Sequence, residues 1–164
     1  GNDFITVAEE ESHIRSYLKI QKIRYEDILD YHIEIEPEIE NRVILKMTLQ
    51  PIVENALYHG IKNKRGGGKI TIRGYGNGED MVFEVVDNGI GMDESTLKEL
   101  RKKLRGEKSR LDSKKGGFGL NNVAQRIRMY YGGHSDIVIT SKENEGTCVK
   151  VRLGRSKEEN GKDL

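Results

Sequence analysis

Five stretches of the chain carry the apolar pattern of β-strands. Residues 29–36 and 147–153 alternate apolar with polar side chains, which is typical of strands that are buried on one face. Residues 81–86 form a continuous β-branched and aromatic run, which indicates a buried strand. The other two stretches are 69–75 and 136–141. An Asn-Gly turn signal between 69–75 and 81–87 predicts a hairpin.

Three further stretches repeat apolar residues at the spacing of one helix face. Thr6 and Glu9 have the spacing of a capping box at the start of the first helix. Thr48 is a candidate N-cap for the second helix, and Gly132 stands where the third would end. The three stripes are Val7, Ile14, Leu18 and Tyr25; Leu49, Ile52, Val53, Ala56, Leu57 and Ile61; and Leu120, Val123, Ile127 and Tyr130.

These elements predict the fold class. Strands in hairpins and helices with a single apolar stripe each form two layers when they bury those faces against one another. We therefore expect an α/β two-layer sandwich, in which about three helices cover one face of a mixed, mostly antiparallel sheet of about five strands.

The strand at 81–87 ends in a segment that fits a nucleotide pocket. It reads Asp87-Asn88-Gly89-Ile90-Gly91-Met92. A carboxylate at a strand end can accept a hydrogen bond from the exocyclic amine of adenine. The two glycines let the backbone approach a flat ring or adopt positive φ. An Asp-Asn-Gly turn without any ligand explains the same residues.

The second helical stripe leaves a polar face that contains Glu54, Asn55, Tyr58 and Lys62, with His59 beside it. An asparagine carbonyl is a hard oxygen ligand for Mg²⁺, and lysine supplies positive charge for a triphosphate. The alternative is an ordinary amphipathic helix whose polar face is solvated.

A glycine cluster, Gly116-Gly117-Phe118-Gly119, precedes the third helix. Backbone N–H groups and the positive end of the helix dipole bind phosphate at such a position. The cluster lacks the spacing of a P-loop. A flexible loop entering a helix is the alternative without a ligand.

In this order, the three segments resemble the motifs of the ATP-binding domain of sensor histidine kinases. Residues 49–60 resemble the N box in the form used by LytS/YesM-type kinases. Residues 87–92 resemble the first glycine box, and residues 117–127 resemble the second glycine box. Residues 10–24 are similar to the helix that precedes the N box. The resemblance covers roughly residues 6–153 and extends to the superfamily that includes gyrase, a heat-shock chaperone and MutL.

The resemblance implies the Bergerat ATP-binding fold, with ATP and Mg²⁺ as ligands. It assigns Asn55 to the metal and to catalysis, and it leaves Glu54 either orienting a metal-bound water or lying on the solvated face. Asp87 would bind the adenine amine. Lys62 would replace a family lysine whose place is taken by Tyr58. The implied ATP-binding set is Asn55, Tyr58, His59, Lys62, Asp87, Gly89, Gly91, Met92, Gly117, Gly119, Leu120 and Thr147.

The resemblance also divides the chain. Residues 1–27 would be a helix leading from a dimerisation domain, and 28–154 the ATP-binding catalytic domain. The resemblance places an ATP lid at about residues 93–116, and this strongly charged segment has few apolar anchors, which suits a gate. We expect the charged tail at 155–164 to be disordered.

Composition limits the function classes. The chain has 164 residues, enough for one sizeable core, and its formal net charge of +1 predicts neither nucleic-acid binding nor a membrane surface. A single cysteine, Cys148, excludes an internal disulfide and fits a reducing cytosol. There is neither an apolar run of membrane-spanning length nor a signal peptide. Because the chain opens with Gly1-Asn2, we expect a fragment of a longer protein.

The function that the resemblance implies is that of a protein histidine kinase in a two-component system. The γ-phosphate would pass to a histidine on the upstream dimerisation domain and then to a response regulator. None of the chain's histidines stands in a Pro-His-Phe context, so we expect the acceptor outside this chain. The implied location is the cytoplasmic portion of a membrane-bound sensor, without membrane insertion by this fragment. The alternatives are an ATPase or serine kinase of the same superfamily and a degenerate domain that binds a partner but no nucleotide.

Overall fold

The computed structural model describes residues 3–110, 118–132 and 135–156. The predicted phosphate-binding Gly117, the lid residues 111–116 and the tail residues 157–164 lie outside this part. The helices are α1 (Val7–Arg24), α2 (Gln50–Asn55), α3 (Glu94–Leu104) and α4 (Phe118–Tyr130), and α2 continues into a π-helical segment, Ala56–Ile61. The strands are β1 (Phe4–Thr6), β2 (Leu29–Ile35), β3 (Val43–Leu45), β4 (Gly68–Asn77), β5 (Asp80–Asp87), β6 (Asp136–Lys142) and β7 (Gly146–Leu153).

Five strands form one mixed sheet in the order β2-β4-β5-β7-β6. The β2–β4 pair is parallel, and the other three pairs are antiparallel. A second, small sheet pairs β1 with β3 and was not predicted. The predicted two-layer α/β fold with a mostly antiparallel sheet is confirmed. In the described part of the chain there are four α-helices, one more than predicted, because α3 lies inside the predicted lid; a short 3-10 helix, Pro37–Ile39, follows β2.

The core lies between the helices and one face of the sheet. Ile72, Val85 and Val149 occupy the same row of paired strands, and all three are buried. The neighbouring row, on the opposite face, contains the charged Arg73, Glu84 and Lys150. This alternation explains why helices cover only one face of the sheet.

The start of α1 confirms Thr6 as the N-cap of the predicted capping box, and the Glu9 carboxylate bonds to the Thr6 hydroxyl in place of the Thr6 backbone N–H. The Glu9 backbone N–H donates to Thr6 Oγ1 at 3.1 Å, and the Thr6 hydroxyl donates to the Glu9 carboxylate at 3.2 Å. The stripe residues Val7, Ile14 and Leu18 are buried against the core. This helix therefore starts and packs as its sequence predicts.

The predicted N-cap of α2 is wrong. The Thr48 hydroxyl donates to the Leu45 carbonyl oxygen at 2.6 Å, and Leu49 occupies the N-cap position without a side-chain hydrogen bond. Pro51 lies in the first turn, as predicted. The helix therefore needs another partner for its first N–H groups.

The first half of the predicted lid is a packed helix. Asp93 caps α3 by accepting from the Thr96 N–H at 2.7 Å. Leu97, Leu100 and Leu104 share one face and are buried in the core. The expectation of few buried contacts therefore fails for residues 94–104.

The predicted disorder of the tail is also wrong at its first residues. Ser156 is buried and forms an isolated bridge with Tyr131, just beyond α4. The chain therefore still packs against the domain at Ser156, after the end of β7. Across the described ranges, no helix is both long and apolar enough to cross a membrane.

Candidate nucleotide-binding site

A cavity of about 510 Å³ opens between α2 with its π-helical extension, the loop after β5, α3 and the β6–β7 turn. It contains six of the predicted ATP-binding residues: Asn55, His59, Asp87, Gly91, Met92 and Thr147. The fold thus brings together residues from the N box, the first glycine box and the last hairpin.

Asp87 is the buried carboxylate of this cavity. It is the last residue of β5, where it pairs with Ile70 on β4 and Thr147 on β7. Its Oδ1 accepts the Gly89 backbone N–H at 2.9 Å. Burial raises the pKa of Asp87 to about 6, although hydrogen bonds from the Gly89 and Thr147 backbones oppose that rise. At neutral pH the group is therefore an ionised acceptor facing a cavity.

Gly89 has a packing role. A Cβ at Gly89 would lie 2.3 Å from the carbonyl carbon of Gly60, so only glycine permits this approach of the loop to the helix. The Ile90 N–H then donates to the Gly60 oxygen at 3.3 Å. Gly89 does not line the cavity, and it holds the loop that does.

The other glycine of the motif docks the loop onto the β6–β7 turn. Gly91 has φ of 64°, and a Cβ there would lie 2.0 Å from the Lys142 carbonyl oxygen. The Asn144 N–H donates to the Ile90 oxygen at 2.7 Å, and the Met92 N–H donates to Ser141 Oγ at 2.9 Å. The far hairpin therefore fixes the cavity wall.

Two hydroxyl groups pair at the end of the β6–β7 hairpin, and one of them, that of Thr147, belongs to a residue that lines the cavity. Ser141 Oγ lies 2.8 Å from Thr147 Oγ1, and the Ser141 hydroxyl is also 3.0 Å from the Gly146 carbonyl oxygen. Thr147 lies beside Asp87 in the strand register. Ser141 Oγ also accepts the Met92 N–H, so its hydrogen-bonding capacity is used, and the Thr147 hydroxyl is the group that can hold an ordered water next to a bound base.

The N-box helix changes its winding where it meets the cavity. The Lys62 N–H donates to the Leu57 carbonyl oxygen at 2.9 Å, a five-residue step that is characteristic of a π-helix. Single π-helical turns inside helices are frequent at functional sites. Asn55 and His59 lie on either side of the start of this segment and both line the cavity.

Three predicted residues of the same helix lie away from the cavity. The Lys62 ammonium stands 4.7 Å from the ring centroid of Tyr58 and 5.2 Å from that of Tyr25. Glu54 accepts a hydrogen bond from Gln50 at 3.3 Å. None of Glu54, Tyr58 and Lys62 lines the cavity, so the expected lysine charge is not at the site in this structure.

The predicted phosphate-side residues of α4 also lie outside the cavity lining. Leu120 is buried in the core, and a Cβ at Gly119 would be in ordinary contact with Pro51 at 3.8 Å. These residues pack α4 against α2. Gly117, the third member of the set, lies outside the described residues.

The sequence interpretation missed several residues of the lining. Thr96 and Leu100 come from α3, and the spacing of Leu97, Leu100 and Leu104 was a signal for that helix. Asn144 reaches the cavity through the hairpin register, for which the sequence offers no local signal. The remaining unpredicted members are Gly60, Asn63, Ile90, Asp93 and Glu143.

The donor set fits a metal that arrives with phosphate. Among the residues that the structure describes, no group of three or more His, Cys, Asp or Glu side chains could hold a metal ion. Mg²⁺ is commonly bound through one or two protein oxygens together with substrate phosphates and waters. The Asn55 amide in the cavity lining fits that limited role.

The model of the family described as "Histidine kinase-, DNA gyrase B-, and HSP90-like ATPase" matches residues 40–157. The sensor protein kinase HptS of Staphylococcus aureus is 37% identical over 153 residues, which cover 92% of this chain and 28% of HptS. The chain therefore spans little more than a quarter of this curated relative.

Solved structures share the fold at low sequence identity. The catalytic domain of the histidine kinase ThkA has a TM-score of 0.65 at 16% identity, over 95% of this chain and 97% of that one. The blue-light activated histidine kinase of Erythrobacter litoralis EL346 has a TM-score of 0.63 at 17% identity, over 98% of this chain and 44% of that one. The chain belongs to the histidine kinase-, DNA gyrase B- and HSP90-like ATPase family, and it has the fold of histidine kinase catalytic domains.

Proposed function

We propose that this domain holds MgATP in the cavity beside Asp87 and transfers the γ-phosphate to a histidine on a dimerisation domain of the same protein. The observation that carries this proposal is the buried Asp87 carboxylate, which lines the cavity of an ATP-binding family member. The geometry supports a division of the site into a base end and a metal end.

At the base end, Asp87 would accept a hydrogen bond from the adenine amine. The carboxylate is ionised at neutral pH, and its second oxygen is free of the Gly89 bond. A water held by the Thr147 hydroxyl would bridge to a ring nitrogen. Gly91 and Met92 would form the wall against the ring, because both line the cavity.

At the metal end, Asn55 would supply a neutral oxygen ligand to Mg²⁺. Bound Mg²⁺ neutralises phosphate charge as it spreads during transfer. His59 follows Asn55 along the same cavity wall, and its ring N–H can donate to a phosphate oxygen. We assign His59 to phosphate rather than to the acceptor role.

The chemistry requires positioning more than acid–base catalysis. The bond from the γ-phosphorus to the β,γ-bridging oxygen breaks, a bond from an imidazole nitrogen to that phosphorus forms, and the imidazolium proton passes to water. A neutral imidazole is already a competent nucleophile, so this domain needs no strong base. Its contribution is alignment and electrostatic stabilisation. An aspartate of a response regulator would then receive the phosphate.

The domain would carry out this reaction in the cytoplasm, as part of a sensor attached to the membrane elsewhere in the protein. Support comes from the relative named a sensor protein kinase, whose length is more than three times the matched segment.

Two measurements test the proposal. Calorimetric titration with MgATP should show binding that Asp87→Asn weakens, whereas no binding by the wild-type chain would leave only the degenerate, nucleotide-free domain. Labelled ATP should then place acid-labile label on an added histidine-containing dimerisation domain. Acid-stable label, or steady phosphate release without labelled protein, would instead identify a serine kinase or an ATPase.

A further inference from the structure

A buried glutamate of α1 contacts the segment that leads into the N-box helix. Glu10 is 1% exposed. Its Oε2 accepts the Met47 N–H at 3.0 Å, and its Oε1 accepts the Leu49 N–H at 3.4 Å. Burial raises the pKa of Glu10, while the backbone N–H groups of Met47, Leu49 and Gln50 act in the opposite direction.

These contacts replace the missing cap of α2. The first N–H groups of a helix have no partner within the helix, and a nearby residue usually supplies one. Here Leu49 provides no side-chain cap and the Thr48 hydroxyl is directed to Leu45. Glu10, from a different helix, accepts the N–H groups of Leu49 at the N-cap and of Gln50 at the first helical position, and its charge also suits the positive end of the helix dipole.

An arginine of α4 donates hydrogen bonds to backbone carbonyl oxygens of the same segment. Arg126 donates from Nη1 to the Met47 oxygen at 2.9 Å and from Nη2 to the Lys46 oxygen at 2.5 Å. Met47 has φ of 63°, a left-handed conformation that costs a non-glycine residue roughly 1 kcal/mol or more. Both charged side chains bond to this strained residue.

We infer that Glu10 and Arg126 are positioning residues that clamp residues 46–49 and thereby set where α2 presents Asn55 to the nucleotide. This inference deepens the proposed function and rests on it for the role of Asn55. Neither Glu10 nor Arg126 lines the cavity, so both act through α2. Because α2 is only Gln50–Asn55, a shift at its start is carried directly to Asn55 at its end.

The Glu10→Gln substitution breaks the clamp with little change in volume. One acceptor oxygen becomes an NH₂ group that meets a backbone N–H, so one bond is lost and two donors face each other. Met47 can then leave its strained conformation. Glu11→Gln is the matched control, since the Glu11 carboxylate pairs with Arg15 and makes no contact with the clamp.

The first test is NMR of the nucleotide-free domain, with the Asn55 backbone and side-chain amide resonances as the readout. Glu10→Gln and Arg126→Gln should both move these resonances, whereas Glu11→Gln and Arg128→Gln should not. Arg128 donates to the Leu104 oxygen on α3, so it controls for loss of an α4 arginine. Unmoved Asn55 resonances in both clamp variants would overturn the inference, whatever the domain binds.

The second test separates positioning from general destabilisation. ATP affinity is measured with Mg²⁺ and with a chelator, and adenosine affinity is measured beside it. In the clamp variants we expect the affinity gained from Mg²⁺ to fall about tenfold or more, with adenosine affinity unchanged. If the affinities for adenosine and for MgATP fell equally, and in proportion to the fall in melting temperature, the positioning role would be overturned. Failure of the wild-type domain to bind ATP would count against the proposed function, and the NMR result would still decide the clamp.

Discussion

Gly60 and Asp87 are so close that a Cβ added to Gly60 would lie 2.6 Å from Asp87 Oδ1. Gly60 belongs to the π-helical end of the N-box helix and Asp87 to the end of β5, and both line the cavity. The absence of a side chain in one element thus makes room for the buried carboxylate of another.

Gly60→Ala should weaken MgATP binding by displacing this carboxylate. Loss of a hydrogen bond to a charged group costs about 1.5–3 kcal/mol, or roughly tenfold to a hundredfold in affinity. Calorimetric titration measures the change. Gly132→Ala is the control, because a Cβ at Gly132 meets nothing within 4 Å. Wild-type affinity in Gly60→Ala would contradict the role given to this contact.

Asp87→Asn should stabilise the domain at neutral pH while weakening its nucleotide binding. The folded pKa of about 6 lies above the ordinary 3.8, so this group contributes full stability below pH 3.8 and loses it as pH rises through 6. The neutral variant escapes that loss, and its free energy of unfolding at pH 7.5 should exceed that of the wild type by about 2–3 kcal/mol. Denaturant unfolding from pH 4 to 8 measures the difference, which should vanish near pH 4.

Asp93→Asn provides a control of opposite sign. Asp93 is exposed, and hydrogen bonds from the Thr96 backbone and side chain lower its pKa. Its contribution is present at neutral pH and is lost as pH falls, so this variant should gain no stability at pH 7.5. A stabilised Asp93→Asn together with a destabilised Asp87→Asn would contradict both assignments.

Nucleotide binding should depend on the ionisation of Asp87. Protonation removes the negative charge and adds an O–H donor that can face the adenine amine, so the ionised carboxylate is the better acceptor and the pKa of about 6 sets the window. Affinity of the wild type should be constant above pH 7 and fall by up to about tenfold per pH unit below 6. Titrations from pH 5 to 8 test this, and an affinity that does not change with pH would mean that Asp87 does not contact the bound base.

The sequence predicted those elements whose determinants are local. The Thr6 capping box lies within one turn of α1, and the Asp87 segment directly follows its strand, so spacing alone indicated both. The start of α2 was predicted wrongly, because its cap comes from Glu10, a residue 39 positions away from Leu49. No periodicity records such a contact.

The lysine assignment shows a second limit of sequence reasoning. Lys62 has the charge and approximate helical spacing for phosphate, but its ammonium packs over the rings of Tyr25 and Tyr58. The π-helical turn changes the spacing on which the expectation relied. A pattern read at ideal helical period therefore fails where the winding itself changes.

Gly91→Ala should destabilise the loop by more than the cost of placing alanine at a positive φ, because the new Cβ would also clash with the β6–β7 turn. Gly91 and Gly78 both have φ of 64°, but only Gly91 would bring a Cβ to 2.0 Å from a carbonyl oxygen, that of Lys142. Gly78→Ala should cost about 1 kcal/mol of unfolding free energy and leave MgATP affinity unchanged. Gly91→Ala should cost more and lower that affinity. Equal effects of the two substitutions would mean that the β6–β7 turn does not fix the site.

The discrimination between ATP and GTP is the most direct test of Asp87 as the reader of adenine. Guanine presents a carbonyl oxygen where adenine has its amine, and that oxygen meets the carboxylate as acceptor against acceptor. By calorimetric titration, the wild type should prefer ATP by about a hundredfold or more, and Asp87→Asn should bring the two affinities within about tenfold. The same ATP-to-GTP ratio in both proteins would contradict the assignment on which the account rests.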